Sequence, residues 1–165
     1  MQTEEQYIDM VLRKSGSLFR LACRLGASGC KVDGETARLL DEMADALGVA
    51  AQIGNDVSDV LRFDLKNDLL QRKKTLPVLY MLSDPEDRFP PLRSYYEGEA
   101  SLALFLSRKQ ECLNYIRESG RVEYAEAIQS IYRNRALKAL SELPGDPYPK
   151  QQLRERLLLS LGGSL

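Results

Sequence analysis

The chain contains 165 residues, of which 44% are hydrophobic and 28% charged, a composition typical of a soluble globular protein with a core of fair size. Its net charge is −1, and no segment gathers lysine and arginine on one face, so nucleic acid is not expected among its partners. The sequence contains no histidine, which excludes histidine-based catalytic triads and conventional zinc sites.

The cysteines and the N-terminus bear on the cellular compartment. Cys23, Cys30 and Cys112 make an odd number without the spacing of a metal site, and we interpret each as a small buried hydrophobic residue in a reducing environment. No apolar run approaches the length that a bilayer requires, and the polar start Gln2–Glu5 does not resemble a signal peptide. The sequence therefore predicts a cytoplasmic protein without a membrane span.

The N-terminal part of the chain predicts two helices. Thr3 and Gln6 form a capping-box pattern, after which apolar residues recur at helical spacing as far as Leu25. That stripe consists of Ile8, Val11, Leu12, Leu18, Phe19, Ala22 and Leu25. A glycine-containing turn near residues 29–34 precedes a longer helix over residues 35–61.

The C-terminal part predicts four further helices. They cover residues 75–82, 100–118, 122–143 and 150–161. Residues 83–99 begin with a charged, proline-containing stretch and are predicted to form a linker or variable segment. Because there is no convincing strand and no internal repeat, we expect a single all-α domain over residues 1–165.

One face of the second predicted helix carries oxygen-bearing side chains. Four of them lie three or four residues apart, the spacing that a helix projects onto one side. They are Gln52, Asn55, Asp56 and Asp59. Such a face suits Mg²⁺, which is typically held by one or two carboxylates together with the phosphate oxygens of a substrate. The residue types alone equally allow a solvated acidic face followed by the basic turn at residues 73–74.

The sequence around this face resembles the second aspartate-rich motif of the trans-isoprenyl diphosphate synthases. Residues 47–59 read L-G-V-A-A-Q-I-G-N-D-V-S-D, against a family pattern of approximately G-x-A-x-Q-x-x-D-D-x-x-D. Asp68 and Lys73–Pro77 are similar to the Asp and the G-K-x-T-L-P turn that follow in the family. Upstream, Lys14-Ser15 resembles its Lys-Thr helix, and residues 124–144 resemble a late helix. The blocks occur in family order over nearly the whole chain.

The resemblance implies an antiparallel helix bundle, the C-terminal half of the isoprenoid synthase fold, in a Mg²⁺-dependent prenyltransferase of isoprenoid biosynthesis. The substrate would be an allylic isoprenyl diphosphate, which such enzymes elongate with isopentenyl diphosphate. The implied metal ligands are Asn55, Asp56 and Asp59. The implied diphosphate-binding residues are Lys14, Gln52 and Lys73. The resemblance also implies that Ser15 and Asp68 contact and orient these binding residues without touching the ligand themselves.

A typical synthase of this family is about twice as long and carries a first aspartate-rich motif that this chain lacks. In the family, two facing acidic motifs hold the Mg²⁺ ions that neutralise the leaving diphosphate, and stabilisation of developing charge is the main catalytic contribution in such chemistry. We therefore expect weak binding and negligible turnover by this chain alone, and dependence on a missing N-terminal half or a partner subunit. Residues 41–45, D-E-M-A-D, imitate the missing motif, but we interpret them as part of an ordinary helix.

Three features depart from the family pattern. Asn55 replaces the usual first aspartate, so the affinity for Mg²⁺ should fall. Arg72 stands where the turn glycine is common. The loop at residues 64–72 is short and lacks a Gly-Lys pair, as in the ComQ-like branch, whose members prenylate a tryptophan of a bacterial signalling peptide. A peptide is therefore an alternative acceptor.

Two other functions stay open on the sequence. A non-catalytic partner or regulatory subunit would explain the Asn55 replacement and the missing motif, although the rest of the second motif is nearly complete. A terpene cyclase fragment is suggested by Asn55-Asp56, which opens like the Asn-Asp-x-x-Ser-x-x-x-Glu motif of that class. Against it, Asp59 and Phe63 stand where that motif needs Ser and Glu.

The resemblance also predicts an unpaired surface. If a missing half packs against this chain, one side should expose more apolar area than a monomer normally does, and we expect a homodimer, an exchange of helices or a partner. Five tyrosines could line a prenyl tunnel, but we interpret them as core or rim residues. They are Tyr95, Tyr96, Tyr115, Tyr124 and Tyr132.

Overall fold

The computed structural model describes residues 2–62 and 67–161, and every regular element within them is helical. The elements are α1 (Glu4–Val11), a π-helical turn (Leu12–Gly16), α2 (Ser17–Ala27), α3 (Gly34–Arg62), α4 (Leu76–Leu82), α5 (Pro90–Glu97), α6 (Leu102–Ser107), α7 (Lys109–Glu118), α8 (Arg121–Glu142) and α9 (Pro147–Ser160). The predicted all-α class is confirmed. No described helix is both long and apolar enough to cross a bilayer.

The start of the chain follows the sequence closely. The Thr3 backbone N–H donates to Gln6 Oε1 at 3.0 Å and the Gln6 N–H donates to Thr3 Oγ1 at 3.2 Å, which confirms the predicted capping box. The single helix predicted through Leu25 is interrupted by the π-helical turn, which apolar spacing did not predict.

Three predicted boundaries in the C-terminal part are wrong. The predicted helix over residues 100–118 is two helices that meet at Arg108. Helix α9 begins at Pro147, where Asp146 accepts a capping hydrogen bond from the Tyr148 N–H at 2.9 Å. Helix α5 lies inside residues 83–99, because proline is tolerated in a first helical turn and its two prolines begin the helix. The variability of that segment stays a prediction.

The described chain divides into two compact units. The first unit takes in the N-terminus through Tyr7 together with Asn55–Ala127, and the second takes in Ile8–Gly54 and the chain from Ile128 onward. Helices α1, α3 and α8 each contribute residues to both units. The expectation of one domain over residues 1–165 stays a prediction.

The first unit is organised around a buried acid. The Asp84 carboxylate accepts hydrogen bonds from Arg88 (2.8 Å), Tyr115 (3.0 Å) and Arg121 (2.7 Å). Burial on its own would raise the pKa of Asp84, but these donors lower it to about 2. Neighbouring aromatic rings fill the core, with Tyr95 stacked on Phe105 at 4.5 Å between centroids.

The second unit has an aliphatic core. It is formed by Leu39, Met43, Ala46, Leu47, Ala50, Ala136, Ala139, Leu140 and Leu161. Helix α3 contributes the first five and α8 the next three, and the partly buried Phe19 and Cys23 of α2 pack against them. Helical spacing predicts one packed side of the second helix, formed by Leu39, Leu40, Met43, Leu47 and Ala50. All of these except Leu40 are confirmed in the core, and the partly buried Leu40 packs against it.

Helix α2 presents its leucines outward. Leu18, Leu21 and Leu25 are 66%, 55% and 64% exposed, and α2 has no fully buried residue. Its predicted packed stripe is therefore wrong for Leu18, Ala22 and Leu25, because the helix contacts the core through Phe19 and Cys23 instead. An outward stripe of leucines agrees with the expected exposed apolar surface.

The cysteine prediction holds in part. Cys112 is buried and Cys23 half-buried, but Cys30 is exposed in the turn before α3.

Candidate functional site

The three predicted metal ligands lie on one continuous helix, α3, and their side chains differ in exposure to solvent. Asn55 is exposed, Asp59 is half-buried, and Asp56 is buried with 3% of its surface exposed. A buried carboxylate is costly unless hydrogen bonds satisfy it. Asp56 accepts one from the hydroxyl of Tyr7 at 2.6 Å. Tyr7 is a residue of the site that sequence reasoning missed.

Asp59 accepts hydrogen bonds from the segment that follows α3, at Asn67 and Asp68. The Asp68 backbone N–H donates to Asp59 Oδ2 at 2.5 Å, and the side-chain amide of Asn67 donates to the Asp59 carbonyl. Asn67 is fully buried and also accepts from the Leu69 N–H at 2.8 Å. Asn67 was not among the predicted residues, although Asn before Asp is a typical turn signal. Residues 64–66 of the short loop noted in the sequence lie outside the described residues.

Lys73 lies beside these carboxylates. Its ammonium group lies 2.5 Å from Asp68 Oδ1. The hydrogen bond that Lys73 donates to Asp68, and then the negative charges of Asp68, Asp59 and Asp56, raise the pKa of Lys73. The lysine is therefore a cation held among three acids, with about half of its side chain exposed to solvent.

The turn that carries Lys73 is braced by tyrosines. The Tyr95 hydroxyl donates to the Leu70 carbonyl at 2.5 Å, and the Tyr96 hydroxyl lies 2.9 Å from the Lys73 carbonyl. Both contacts favour core or rim roles for these two rings. The same turn contains Arg72, whose φ of 55° explains why glycine is common there. Its guanidinium compensates by lying 4.4 Å from the Tyr95 ring centroid.

In the second unit, the π-helical turn positions Ser15. The Ser15 hydroxyl donates to Gln52 Oε1 at 3.2 Å, and Lys14 is exposed beside it. Two glycines allow the close approach: a Cβ at Gly48 would lie 3.0 Å from the Cα and the N of Gly16. The structure thus joins Ser15 to Gln52, as it joins Asp59, Asp68 and Lys73 in the first unit.

The acidic segment at residues 41–45 has a different role. Asp45 forms an ion pair with Arg20, with 2.5 Å between Oδ2 and Nη2. Asp41 forms one with Arg24, with 2.6 Å between the corresponding atoms. Both carboxylates hold α2 to α3, which supports the interpretation of this segment as structural.

The arrangement matches known proteins. The family model for polyprenyl synthetase matches residues 1–104. The chain belongs to the polyprenyl synthetase family. It corresponds to the C-terminal half of these enzymes, the prenyl diphosphate synthases, as the sequence motifs predicted.

Three curated relatives illustrate the range of polyprenyl synthetases. Geranylfarnesyl diphosphate synthase of Aeropyrum pernix is 30% identical over 92% of this chain and 48% of its own length. Heptaprenyl diphosphate synthase component 2 of Bacillus subtilis is 25% identical over 87% of this chain and 41% of its length. Tryptophan prenyltransferase ComQ of Bacillus spizizenii is 22% identical over 86% and 50%. The chain spans half or less of the length of the curated relatives it matches.

A solved structure extends the likeness to three dimensions. Geranylgeranyl pyrophosphate synthase from Corynebacterium glutamicum, complexed with calcium and isoprenyl diphosphate, superposes with a TM-score of 0.81 and 26% identity. The match covers 99% of this chain and 52% of that one. The fold of this chain is therefore similar to that of about half of the synthase chain.

Proposed function

We propose that this chain is part of a Mg²⁺-dependent prenyltransferase and binds an allylic isoprenyl diphosphate. The observation that carries the proposal is the position of Lys73, a half-exposed cation bonded to Asp68 and under the charge of Asp59 and Asp56. A diphosphate brings several negative charges and needs both a cationic side chain and bridging metal ions.

The residues present suit a Mg²⁺ ion that is held jointly by protein carboxylates and by the phosphates of the substrate. Among the described residues there is no group of three or more acidic, cysteine or histidine side chains that would enclose a metal. Mg²⁺ does not need such a cage, because it keeps several waters and combines one or two carboxylates with substrate phosphates. Asp56 and Asp59 would provide the carboxylates and Asn55 a weaker, neutral oxygen. When bound, Mg²⁺ would neutralise the charge that develops on a leaving diphosphate.

The remaining residues have supporting roles in this proposal. Lys73 would contact the diphosphate directly, with Asp68 holding its ammonium group in place. Family resemblance assigns a diphosphate-binding role to Lys14 and Gln52 as well, and the hydroxyl of Ser15 would orient the Gln52 amide.

Turnover by this chain alone is expected to be negligible. It carries one of the two acidic motifs of the family, and Asn55 removes one charge from the motif it has. Electrostatic stabilisation of the leaving diphosphate is the main contribution in such chemistry. A chain with only one acidic motif should therefore bind the substrate without ionising it efficiently. The complete site would need a missing N-terminal half or a partner subunit. We also propose that the protein is cytoplasmic and forms a homodimer.

The acceptor has two candidates. Relatives named as geranylfarnesyl and heptaprenyl diphosphate synthases favour isopentenyl diphosphate and chain elongation. The relative named as a tryptophan prenyltransferase, together with the short loop before Arg72, favours a peptide acceptor. The two are distinguished by supplying radiolabelled farnesyl diphosphate to the completed enzyme with each acceptor in turn.

A second candidate function is a non-catalytic partner or regulatory subunit of a prenyl synthase. The exposed leucine stripe of α2, formed by Leu18, Leu21 and Leu25, favours it because such a stripe typically contacts another protein. The name of the Bacillus subtilis relative, a synthase component, points in the same direction. This candidate predicts assembly with a catalytic chain and no need for Mg²⁺-dependent diphosphate binding.

The test compares two neighbouring lysines. Binding of farnesyl diphosphate with Mg²⁺ is measured by isothermal titration calorimetry for the wild type, Lys73→Ala and Lys74→Ala. Lys74 is exposed and directly follows Lys73 in the same turn, so it serves as the matched control. We expect Lys73→Ala to weaken binding about tenfold, the effect of losing one charged hydrogen bond of about 1.5 kcal/mol, and Lys74→Ala to change it little. Equal effects of both substitutions would contradict the site.

A further inference from the structure

Tyr7 is a fully buried side chain whose polar end meets the acidic face. It lies in α1, it is 1% exposed, and it is among the largest side chains that are buried completely. Its hydroxyl donates to Asp56 Oδ2 at 2.6 Å, although the two residues are 49 positions apart in the chain. The contact lies entirely within the first unit.

Several contacts fix the position of Tyr7. The Thr3–Gln6 capping box starts the helix one turn before it, and the Tyr7 N–H donates to the Thr3 carbonyl at 3.0 Å. The Tyr80 hydroxyl of α4 donates to Glu4 Oε2 at 2.7 Å and so anchors the first turn of α1. A short helix at the start of the chain is thus held from both its cap and its side.

The Tyr7 hydroxyl is not needed for packing, because a phenylalanine at this position would fill the core equally well. The Tyr7 hydroxyl is buried with its ring and donates its hydrogen bond to Asp56 Oδ2. A phenyl ring would fill the same space but would leave Asp56 Oδ2 without this donor. A hydrogen bond at one carboxylate oxygen fixes the rotation of the group and therefore the direction in which it presents its lone pairs.

We propose that Tyr7 is a positioning residue that orients the Asp56 carboxylate toward a magnesium-bound diphosphate. The inference rests on the proposed function and adds a residue from a separate helix to the metal side of that site. Partners that orient a ligating carboxylate typically change metal affinity 10–100-fold when they are lost.

The experiment uses Tyr7→Phe and Tyr115→Phe with inorganic pyrophosphate as the probe. Tyr115 is the matched control because its hydroxyl also donates to a buried carboxylate of the same unit, Asp84 at 3.0 Å. Calorimetric titrations at increasing Mg²⁺ give the metal concentration at which half of the protein binds pyrophosphate. We expect Tyr7→Phe to raise that concentration about 10–100-fold and Tyr115→Phe to leave it unchanged. An unchanged value for Tyr7→Phe, or equal shifts in both variants, would overturn the inference.

A double variant shows whether Tyr7 acts through Asp56. In an Asp56→Asn background, Tyr7→Phe should add little further loss, and a full additional loss would overturn the positioning role. If Tyr7→Phe does not fold, the wild type provides the test by ¹³C NMR of labelled tyrosine side chains. The Tyr7 signal should then shift on adding pyrophosphate with Mg²⁺ but not with EDTA, and no shift would overturn the inference.

Failure of the two proposals is distinguishable. A wild-type chain that binds pyrophosphate without any dependence on Mg²⁺, or does not bind it, would remove the proposed function. A wild-type chain that binds with Mg²⁺ while Tyr7→Phe behaves identically would remove only the role of Tyr7.

Discussion

Substitution of Gly48 by alanine tests the close approach between the π-helical turn and α3. A Cβ at Gly48 would lie 3.0 Å from the Cα and the N of Gly16 and 3.3 Å from the Ser15 carbonyl carbon, all of them backbone atoms. The turn would have to move by a few tenths of an ångström, and overpacking of this kind costs about 1–3 kcal/mol. Part of that cost is offset, because alanine favours a helix over glycine by ~1 kcal/mol.

Gly26→Ala is the matched control. Gly26 is also helical, but a Cβ there would meet nothing within 4 Å, so only the helix preference of up to ~1 kcal/mol remains. The difference between the two variants therefore isolates the overpacking at Gly48, and we expect Gly48→Ala to be the less stable by about 1–3 kcal/mol. Urea unfolding followed by circular dichroism measures both. Equal unfolding free energies in the two variants would refute the close approach.

Three further predictions concern other parts of the described chain. Asp84 should contribute about 2 kcal/mol to the stability that the wild type loses as the pH falls from about 4 to 2, because its folded-state pKa is about 2 and its unfolded value is ordinary. Asp84→Asn should flatten that loss in urea unfolding, and identical pH profiles would contradict the buried ionised acid. Arg72→Gly should be more stable than Arg72→Ala by about 1 kcal/mol, since both lose the guanidinium contacts but only alanine keeps the strained positive φ; equal urea midpoints would argue against the strain. Cys30 should react quickly with a thiol reagent, whereas buried Cys112, whose pKa burial raises to about 12, should react only on unfolding, and fast labelling of Cys112 in the folded protein would contradict the packing.

Much of the fold was predictable from helical spacing and local signals. The capping box at Thr3 and Gln6 and the core positions of α3 depend on neighbouring residues, so a single sequence contains the information. Helix α5 was missed because consecutive prolines suggest a linker, yet at the first turn of a helix they cost nothing. The break at Arg108 and the π-helical turn depend on tertiary packing, which apolar periodicity does not report.

The candidate site was predictable where the motif is linear. Asp59, Asp68 and Lys73 were chosen from the sequence, and the structure brings them into contact. Tyr7 and Asn67 were not, since a buried tyrosine is ordinarily a core residue and only the fold brings Tyr7 to Asp56 across 49 positions. The outward face of α2 was not predictable for a related reason, because exposed leucines have the same helical spacing as leucines that face a core.

The central claim is that this chain binds an allylic diphosphate through magnesium and the α3 carboxylates. One calorimetric titration with farnesyl diphosphate tests it directly, comparing the wild type with Asp56→Ala in the presence of Mg²⁺ and after EDTA. We expect binding by the wild type with Mg²⁺ and loss of that binding both in EDTA and in a folded Asp56→Ala variant. Binding that is equal with and without Mg²⁺, or unaffected by the loss of the Asp56 carboxylate, would contradict it.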